Sequence, residues 1–163
     1  MESIGIFATA GKERVPDLLR TLIALAETRG VHLLIERENA VQIGREDLGA
    51  DEETLARCDA IIVLGGDGAV LGAARAAAPY RTPVLAVDLG RLGFLSAVRP
   101  EQIEDAFDLL VRDGFEIEER MMLDARVSRG SEFQISSPEF NPRPGTRNPK
   151  PGTEVGGGIG LND

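Results

Sequence analysis

The residues best suited to chemistry in this sequence are Gly65, Gly66, Asp67 and Gly68, which stand directly after the apolar run Ala60–Leu64. Glycines accept backbone angles that side chains forbid, and they leave room for a ligand against the main chain. If a helix begins at this turn, its free N–H groups attract phosphate oxygens. A carboxylate would repel phosphate, so Asp67 indicates either a metal or proton-transfer role, or a residue that caps a tight turn.

A second loop, residues 88–96, follows the apolar run Val84–Val87 and contains two glycines three positions apart, with an aspartate, an arginine and a phenylalanine. The carboxyl ends of parallel strands meet at one edge of a sheet and form the ligand crevice there. We therefore expect both glycine loops to open on the same edge. The alternative is a loop in which Leu92, Phe94 and Leu95 only cover the core.

The single histidine and the single cysteine point to structural positions. His32 has no Ser, Cys or acid at a recognisable catalytic spacing, so we expect it on the surface or at a strand edge. Cys58 excludes an internal disulfide, fits a reducing compartment, and is expected to pack as a small apolar residue.

The charge balance excludes some classes of partner. The chain has 163 residues, with 18 Lys and Arg against 27 Asp and Glu and a formal net charge of −9. This acidity argues against nonspecific binding to nucleic acid or to an anionic membrane. Neither an apolar leader nor a run near the roughly 20 residues of a membrane span is visible. We expect one domain with an appendage, in a soluble cytoplasmic protein.

Apolar periodicity predicts alternating strands and helices over residues 1–118. The predicted strands are short buried runs at 4–7, 31–35, 60–64 and 84–87. The predicted helices cover 15–29, 51–57, 69–78 and 100–113, and residues 36–49 are expected to be polar and irregular. This order predicts an α/β fold, a Rossmann-like and mostly parallel sheet with flanking helices.

The pattern changes after residue 118. Met121, Leu123, Ala125 and Val127 alternate with polar or exposed positions, which is typical of one half-buried strand and indicates the start of a second domain. From residue 131 onward the sequence is rich in Pro and Gly, which favours a flexible tail. The predicted organisation is therefore an α/β nucleotide-binding domain at 1–118, a strand entering a truncated β-rich domain at 119–130, and a tail at 131–163.

Two motifs together make this sequence resemble the NAD kinases, which use ATP or polyphosphate. Gly-Gly-Asp-Gly at 65–68 is shared with diacylglycerol-type lipid kinases and phosphofructokinases, whereas Leu-Gly-Arg-Leu-Gly-Phe-Leu at 89–95 is far more specific. Glu-Arg-Met-Met-Leu at 119–123 is similar to the start of the family's second domain. The resemblance covers residues 3–128, so it implies an N-terminal domain whose β-rich partner domain is truncated.

The resemblance implies phosphoryl transfer from ATP or another donor to the 2′-hydroxyl of the adenosine ribose of NAD, giving NADP. Asp67 would be the general base, since a ribose hydroxyl is a poor nucleophile. Gly68 would line the dinucleotide site, Gly65 and Gly66 would receive phosphates, and Phe94 would pack against the dinucleotide. Mg²⁺ on the donor phosphates is implied too, although no dedicated carboxylate cluster is visible for it. The resemblance also implies that the full-length proteins of this family are homo-oligomers.

The sequence departs from the family pattern at several positions. Ala69 stands where Thr is usual, which removes a hydroxyl at the helix start. Gly72 stands where a basic residue is common. The second domain, which supplies an Asn-Asp or Asn-Glu pair, is essentially missing. Asn162 and Asp163 resemble the start of that pair and would then contact NAD.

Two other functions stay open. A noncatalytic nucleotide-binding or regulatory module is favoured by Ala69, Gly72 and the missing domain. For the NAD kinase function that the resemblance implies, we expect this chain to be a fragment with low or no activity alone. A diacylglycerol-type lipid kinase is disfavoured by the motif at 89–95 and by the lack of a basic membrane-facing patch.

Overall fold

The computed structural model describes residues 1–90, 93–126, 134–135 and 160–161. The chain divides into two compact units, Met1–Ile117 and Glu118–Asp163. None of the helices in these described ranges is long and apolar enough to cross a membrane.

The first unit contains a five-stranded sheet in the order β3-β2-β1-β4-β5, with every pair parallel. Its strands are β1 (Ser3–Ala8), β2 (His32–Glu36), β3 (Gly49–Ala50), β4 (Ala60–Gly65) and β5 (Val84–Asp88). Its helices are α1 (Val15–Arg29), α2 (Arg37–Gln42), α3 (Glu52–Ala56), α4 (Asp67–Ala77) and α5 (Ile103–Val111). Single 3-10 turns lie at Glu46–Leu48, Ala78–Tyr80 and Pro100–Gln102. The strand order matches the first five strands of the Rossmann order 3-2-1-4-5-6, and the predicted fold class is confirmed.

The helices cover both faces of the sheet, and the central strand explains why. All six residues of β4 are buried, and their side chains alternate between two apolar clusters. Ile62 and Leu64 belong to the cluster with α1 and α5, whereas Ile61 and Val63 belong to the cluster with α3 and α4. A strand that buries both faces needs a continuous apolar run, and the run at residues 60–64 is the feature of the sequence that predicted this strand.

Helix α1 follows the predicted apolar stripe and ends at Gly30, whose φ of 68° is left-handed and suits a residue without a side chain. Its last residue, Arg29, binds Asp108 of α5 through two hydrogen bonds of 3.0 Å. This bidentate pair holds the two helices side by side on one face of the sheet.

Two predicted segments of the first unit differ in the structure. Residues 36–49 are not irregular, because α2 forms at Arg37–Gln42. Only Asn39 and Ala40 of that helix are buried, too few to produce a visible apolar period. Helix α4 begins at Asp67 rather than at residue 69, so the aspartate is its first residue.

The second unit contains short antiparallel pairs in place of the one half-buried strand expected at 121–127. Strand β6 (Met122–Leu123) pairs with β9 (Gly160–Leu161), and β7 (Ala125–Arg126) pairs with β8 (Gln134–Ile135). Strand residues therefore do form within 121–127, but the expected buried face does not, because the side chains of Met121 and Leu123 are exposed. Val127 and most of the predicted tail lie outside the described residues.

Candidate active site

The candidate site lies at the carboxyl edge of the sheet between β1 and β4. The chain leaves β1 toward α1 on one face and leaves β4 toward α4 on the other. Such a change of direction between neighbouring parallel strands opens a crevice outside their carboxyl ends, where α/β domains bind ligands. Thr9 follows β1 there, and Gly66 follows β4.

The glycine turn works through space rather than through unusual backbone angles, which corrects the sequence-based expectation. None of Gly65, Gly66 and Gly68 has a positive φ. A Cβ on Gly65 would lie 2.6 Å from both the Thr9 Oγ1 and the Ala69 Cβ. A Cβ on Gly66 or Gly68 would meet no atom of the described residues within 4 Å. Gly65 therefore permits close packing, while the other two leave open space beside the start of α4.

Asp67 links the glycine turn to the second loop. One carboxylate oxygen accepts the backbone N–H of Phe94 at 3.1 Å, and the other accepts that of Leu95 at 3.2 Å. Asp67 therefore does not cap its own helix, which was the structural alternative. Gly93 is required beside it, because a Cβ there would lie 2.1 Å from Oδ1 of Asp67. The two glycine loops thus meet at this carboxylate.

The half-buried Asp67 carboxylate keeps acceptor capacity after these two bonds. A carboxylate offers about four lone-pair positions, and the loop uses two of them. At the start of α4, the N–H groups of Ala69 and Val70 donate to the Gly66 carbonyl at 2.9 and 3.2 Å, which leaves those of Asp67 and Gly68 available among the described residues. The turn therefore offers a fixed acceptor and a set of donors at one place, which suits a hydroxyl next to a phosphate.

Thr9 is a candidate functional residue that the sequence did not reveal. Its backbone N–H donates to the carbonyl of Leu64 at 3.0 Å, which places the side chain over Gly65. Its half-buried hydroxyl has no hydrogen-bond partner among the described residues. Only the pairing of Ala8 with Leu64 brings Thr9 to the glycine turn, so a lone threonine carried no signal before the strand order was known.

The side chains of Glu36 and Asn39 bind the backbone of Ala8 at the end of β1. Ala8 donates its N–H to Oε2 of Glu36 at 2.8 Å, and its carbonyl accepts from Nδ2 of the buried Asn39 at 3.0 Å. Burial raises the pKa of Glu36, and the nearby Glu52 adds to the rise, although the Ala8 N–H opposes it. This group holds the strand end that leads into Thr9.

The other predicted site residues fall in different positions. The ring of Phe94 is 85% exposed, so it does not cover the core, whereas Leu95 packs against the apolar cluster of α3 and α4. Leu92, Asn162 and Asp163 lie outside the described residues. Within the described ranges, no group of three or more His, Cys, Asp or Glu side chains could hold a metal ion.

A parallel sheet in this order, with a carboxylate and a glycine turn at its crevice, defines a Rossmann-like α/β domain. The chain belongs to the NAD kinase family, because the model of the ATP-NAD kinase N-terminal domain matches its residues 5–115. The NAD kinase of Moorella thermoacetica is 39% identical over 129 residues, which is 79% of this chain and 42% of that protein. That of Paraburkholderia phytofirmans is 38% identical over 139 residues, covering 82% of this chain and 46% of that protein.

The chain therefore spans less than half the length of these curated relatives. Solved structures agree on the fold. Yeast NADH kinase complexed with NADH superposes with a TM-score of 0.69 at 18% identity, over 83% of this chain and 46% of that one. An NAD kinase from Archaeoglobus fulgidus in complex with ATP gives a TM-score of 0.51 at 21% identity, over 76% and 41%.

Proposed function

We propose that this chain carries the phosphoryl-transfer half of an NAD kinase site, which phosphorylates the 2′-hydroxyl of the adenosine ribose of NAD to give NADP. One observation carries the proposal: the carboxylate of Asp67 is fixed by two backbone N–H groups beside glycines that leave open space. The named relatives are NAD kinases, and the two solved structures hold NADH and ATP.

Asp67 acts in this proposal as the general base. The ribose hydroxyl donates a hydrogen bond to a free lone pair of the carboxylate and passes its proton there as the oxygen attacks the terminal phosphorus of the donor. The bond from that phosphorus to the donor's bridging oxygen breaks, and the remaining diphosphate leaves when the donor is ATP. Most of the rate comes from positioning, which the Phe94 and Leu95 N–H groups supply to Asp67.

The phosphates of ATP and of NAD accept hydrogen bonds from groups on either side of the glycine turn. The available N–H groups of Asp67 and Gly68 lie beside the open space at Gly66 and Gly68, and the Thr9 hydroxyl lies over Gly65. Phe94 offers an exposed ring for stacking on a base. A divalent cation such as Mg²⁺ neutralises donor phosphates in this chemistry, but the described residues provide no cage for it, and no step here depends on one.

The test incubates the purified chain with ATP, Mg²⁺ and NAD and measures NADP with an NADP-specific dehydrogenase. We expect 2′-phosphorylated product from the wild type, and loss of turnover with retained NAD binding in Asp67→Asn. Phosphorylation at the 3′ position, or unchanged turnover in the variant, would refute the proposal. Diacylglycerol in liposomes, offered under the same conditions, tests the lipid-kinase alternative.

A noncatalytic nucleotide-binding module is the second candidate, and Ala69 at the start of α4 favours it, since no hydroxyl stands there. NADP formation distinguishes the two, and calorimetric titration with NAD and with ATP shows whether the chain binds either ligand. A binding module gives saturable heats, no NADP, and the same NAD affinity after Asp67→Asn. A chain that neither binds nor turns over would exclude both.

A further inference from the structure

We infer a second ligand subsite, for the ribose phosphate portion of a nucleotide, in a cavity of the first unit that Asp67 does not line. The cavity has a volume of about 340 Å³. Its described lining is polar and comes from the loop before α1, the loop after β5 and the start of the helical segment at 100–111: Arg14, Asp88, Leu89, Gly90, Arg99, Pro100 and Glu101. No step of the proposed kinase reaction uses these side chains.

Asp88 provides the acceptor at the base of this cavity. It is the last residue of β5, pairs in register with Gly65, and is only 6% exposed. One carboxylate oxygen accepts the N–H of Gly90 at 2.9 Å, while the other has no partner among the described residues. That second oxygen is not sealed from solvent, so it can accept a hydrogen bond from water or from a ligand that brings a donor.

Two arginines supply positive charge above that carboxylate. Arg14 reaches Glu101 at 2.6 Å, but both side chains are more than half exposed, and such surface pairs are weak enough to exchange partners. The guanidinium of Arg99 forms no ion pair within the described part of the chain. Guanidinium groups bind phosphate through paired N–H donors, so this side of the cavity suits a phosphate group.

The combination selects one class of ligand. Inorganic phosphate would satisfy the arginines but would place an anion next to Asp88. A cation or an amine would satisfy Asp88 but would meet Arg99, which has no ion-pair partner among the described residues, whereas the charge of Arg14 is balanced by Glu101. A sugar phosphate meets both needs, because its hydroxyls donate to the carboxylate while its phosphate binds the arginines. The volume fits a pentose phosphate and not a whole dinucleotide, so the ligand is the ribose phosphate of a nucleotide or the free sugar phosphate.

Calorimetric titration of the full chain with ribose 5-phosphate, with AMP and with inorganic phosphate tests this subsite without requiring kinase activity. We expect ribose 5-phosphate to bind at least ten-fold tighter than phosphate. A nucleotide subsite gives AMP binding in competition with the sugar phosphate, whereas a subsite for the free sugar excludes AMP and overturns the nucleotide assignment. Turnover of NAD can fail while these affinities hold, so the two proposals fail separately.

Three variants make the assignment specific. Arg99→Gln should weaken ribose 5-phosphate at least five-fold. Arg112→Gln should have no effect, because Arg112 is an exposed arginine directly after the helical segment at 100–111 and is not among the residues that line the cavity. Asp88→Asn should weaken ribose 5-phosphate yet strengthen inorganic phosphate, since it removes the acceptor and the repulsion together. If Asp88→Asn fails to fold in a thermal melt, Arg99→Gln decides alone. Equal affinity for phosphate and sugar phosphate, or insensitivity to Arg99→Gln, would overturn the inference.

Discussion

Replacing Gly93 by alanine should disturb Asp67 without changing any charge. The new Cβ would lie 2.1 Å from Oδ1, 2.7 Å from Cγ and 2.8 Å from Oδ2 of Asp67. Restoring ordinary contact requires a shift of about 1 Å, which breaks the hydrogen bonds to Phe94 and Leu95. Each bond to a charged group contributes about 1.5–3 kcal/mol when buried. For a half-buried carboxylate we discount this to a total loss of about 1–3 kcal/mol.

The assay measures the free energy of unfolding in urea together with NADP formation, or NAD affinity if turnover is absent. We expect Gly93→Ala to lower the stability by about 1–3 kcal/mol and turnover by about 100-fold, since a 1 Å displacement of a reacting group has that effect. Gly90→Ala is the matched control in the same loop, because its Cβ would have no neighbour closer than 4.0 Å. It should stay within about 0.5 kcal/mol of the wild type. Wild-type stability and turnover in Gly93→Ala would show that the loop does not hold Asp67.

Four further predictions concern the surroundings of the site. Phe94→Ala should leave stability within about 0.5 kcal/mol but weaken NAD about ten-fold if the ring stacks on a base, and unchanged affinity in a titration would rule that contact out. Thr9→Val should weaken ATP several-fold while Thr9→Ser does not, and equal affinities would mean that the hydroxyl does not contact phosphate. Asn39→Leu should cost about 1–3 kcal/mol in urea unfolding, because it leaves the Ala8 carbonyl buried without its donor, and a neutral result would contradict that bond. The pKa of Glu36 is raised in the folded state above its ordinary value, so the group stabilises the fold at low pH and that contribution is lost as the pH rises through the folded pKa. Glu36→Gln should therefore increase stability relative to the wild type near pH 7 and not at pH 3, and a pH-independent difference would count against this explanation.

The sequence was sufficient for the parts of the fold that rest on local periodicity. Buried parallel strands need continuous apolar runs, and β4 and β5 have them, so the α/β class and the position of the glycine turn followed. Helix α2 could not be predicted, because its stability depends on Asn39 binding the Ala8 carbonyl across 31 positions of sequence. The half-buried face expected at 121–127 is not formed, for the opposite reason. Alternation was present, but nothing local shows whether a partner sheet exists to bury one face.

The candidate site, like the fold, has parts that the sequence could reveal and parts that it could not. Asp67 and the glycines could be selected from residue types and spacing, because phosphate chemistry demands small residues and a fixed acceptor. Their partners could not be selected, since the Phe94 and Leu95 N–H groups are backbone atoms that any residue supplies. Gly93 is the exception in retrospect. The sequence showed a second glycine in the loop at this position. It did not show that the glycine is needed because a Cβ there would clash with the Asp67 carboxylate.

The two hydrogen bonds that place Asp67 also make Asp67→Asn an ambiguous variant. An amide has one acceptor oxygen and two N–H donors, so asparagine must turn a donor toward one of the two backbone N–H groups. Lost turnover could then reflect a displaced loop rather than a missing base. Gly93→Ala separates these causes, because it displaces the loop and keeps the carboxylate. A general-base role requires Asp67→Asn to lose far more turnover than Gly93→Ala at a similar loss of stability, whereas equal losses would assign Asp67 to loop positioning alone.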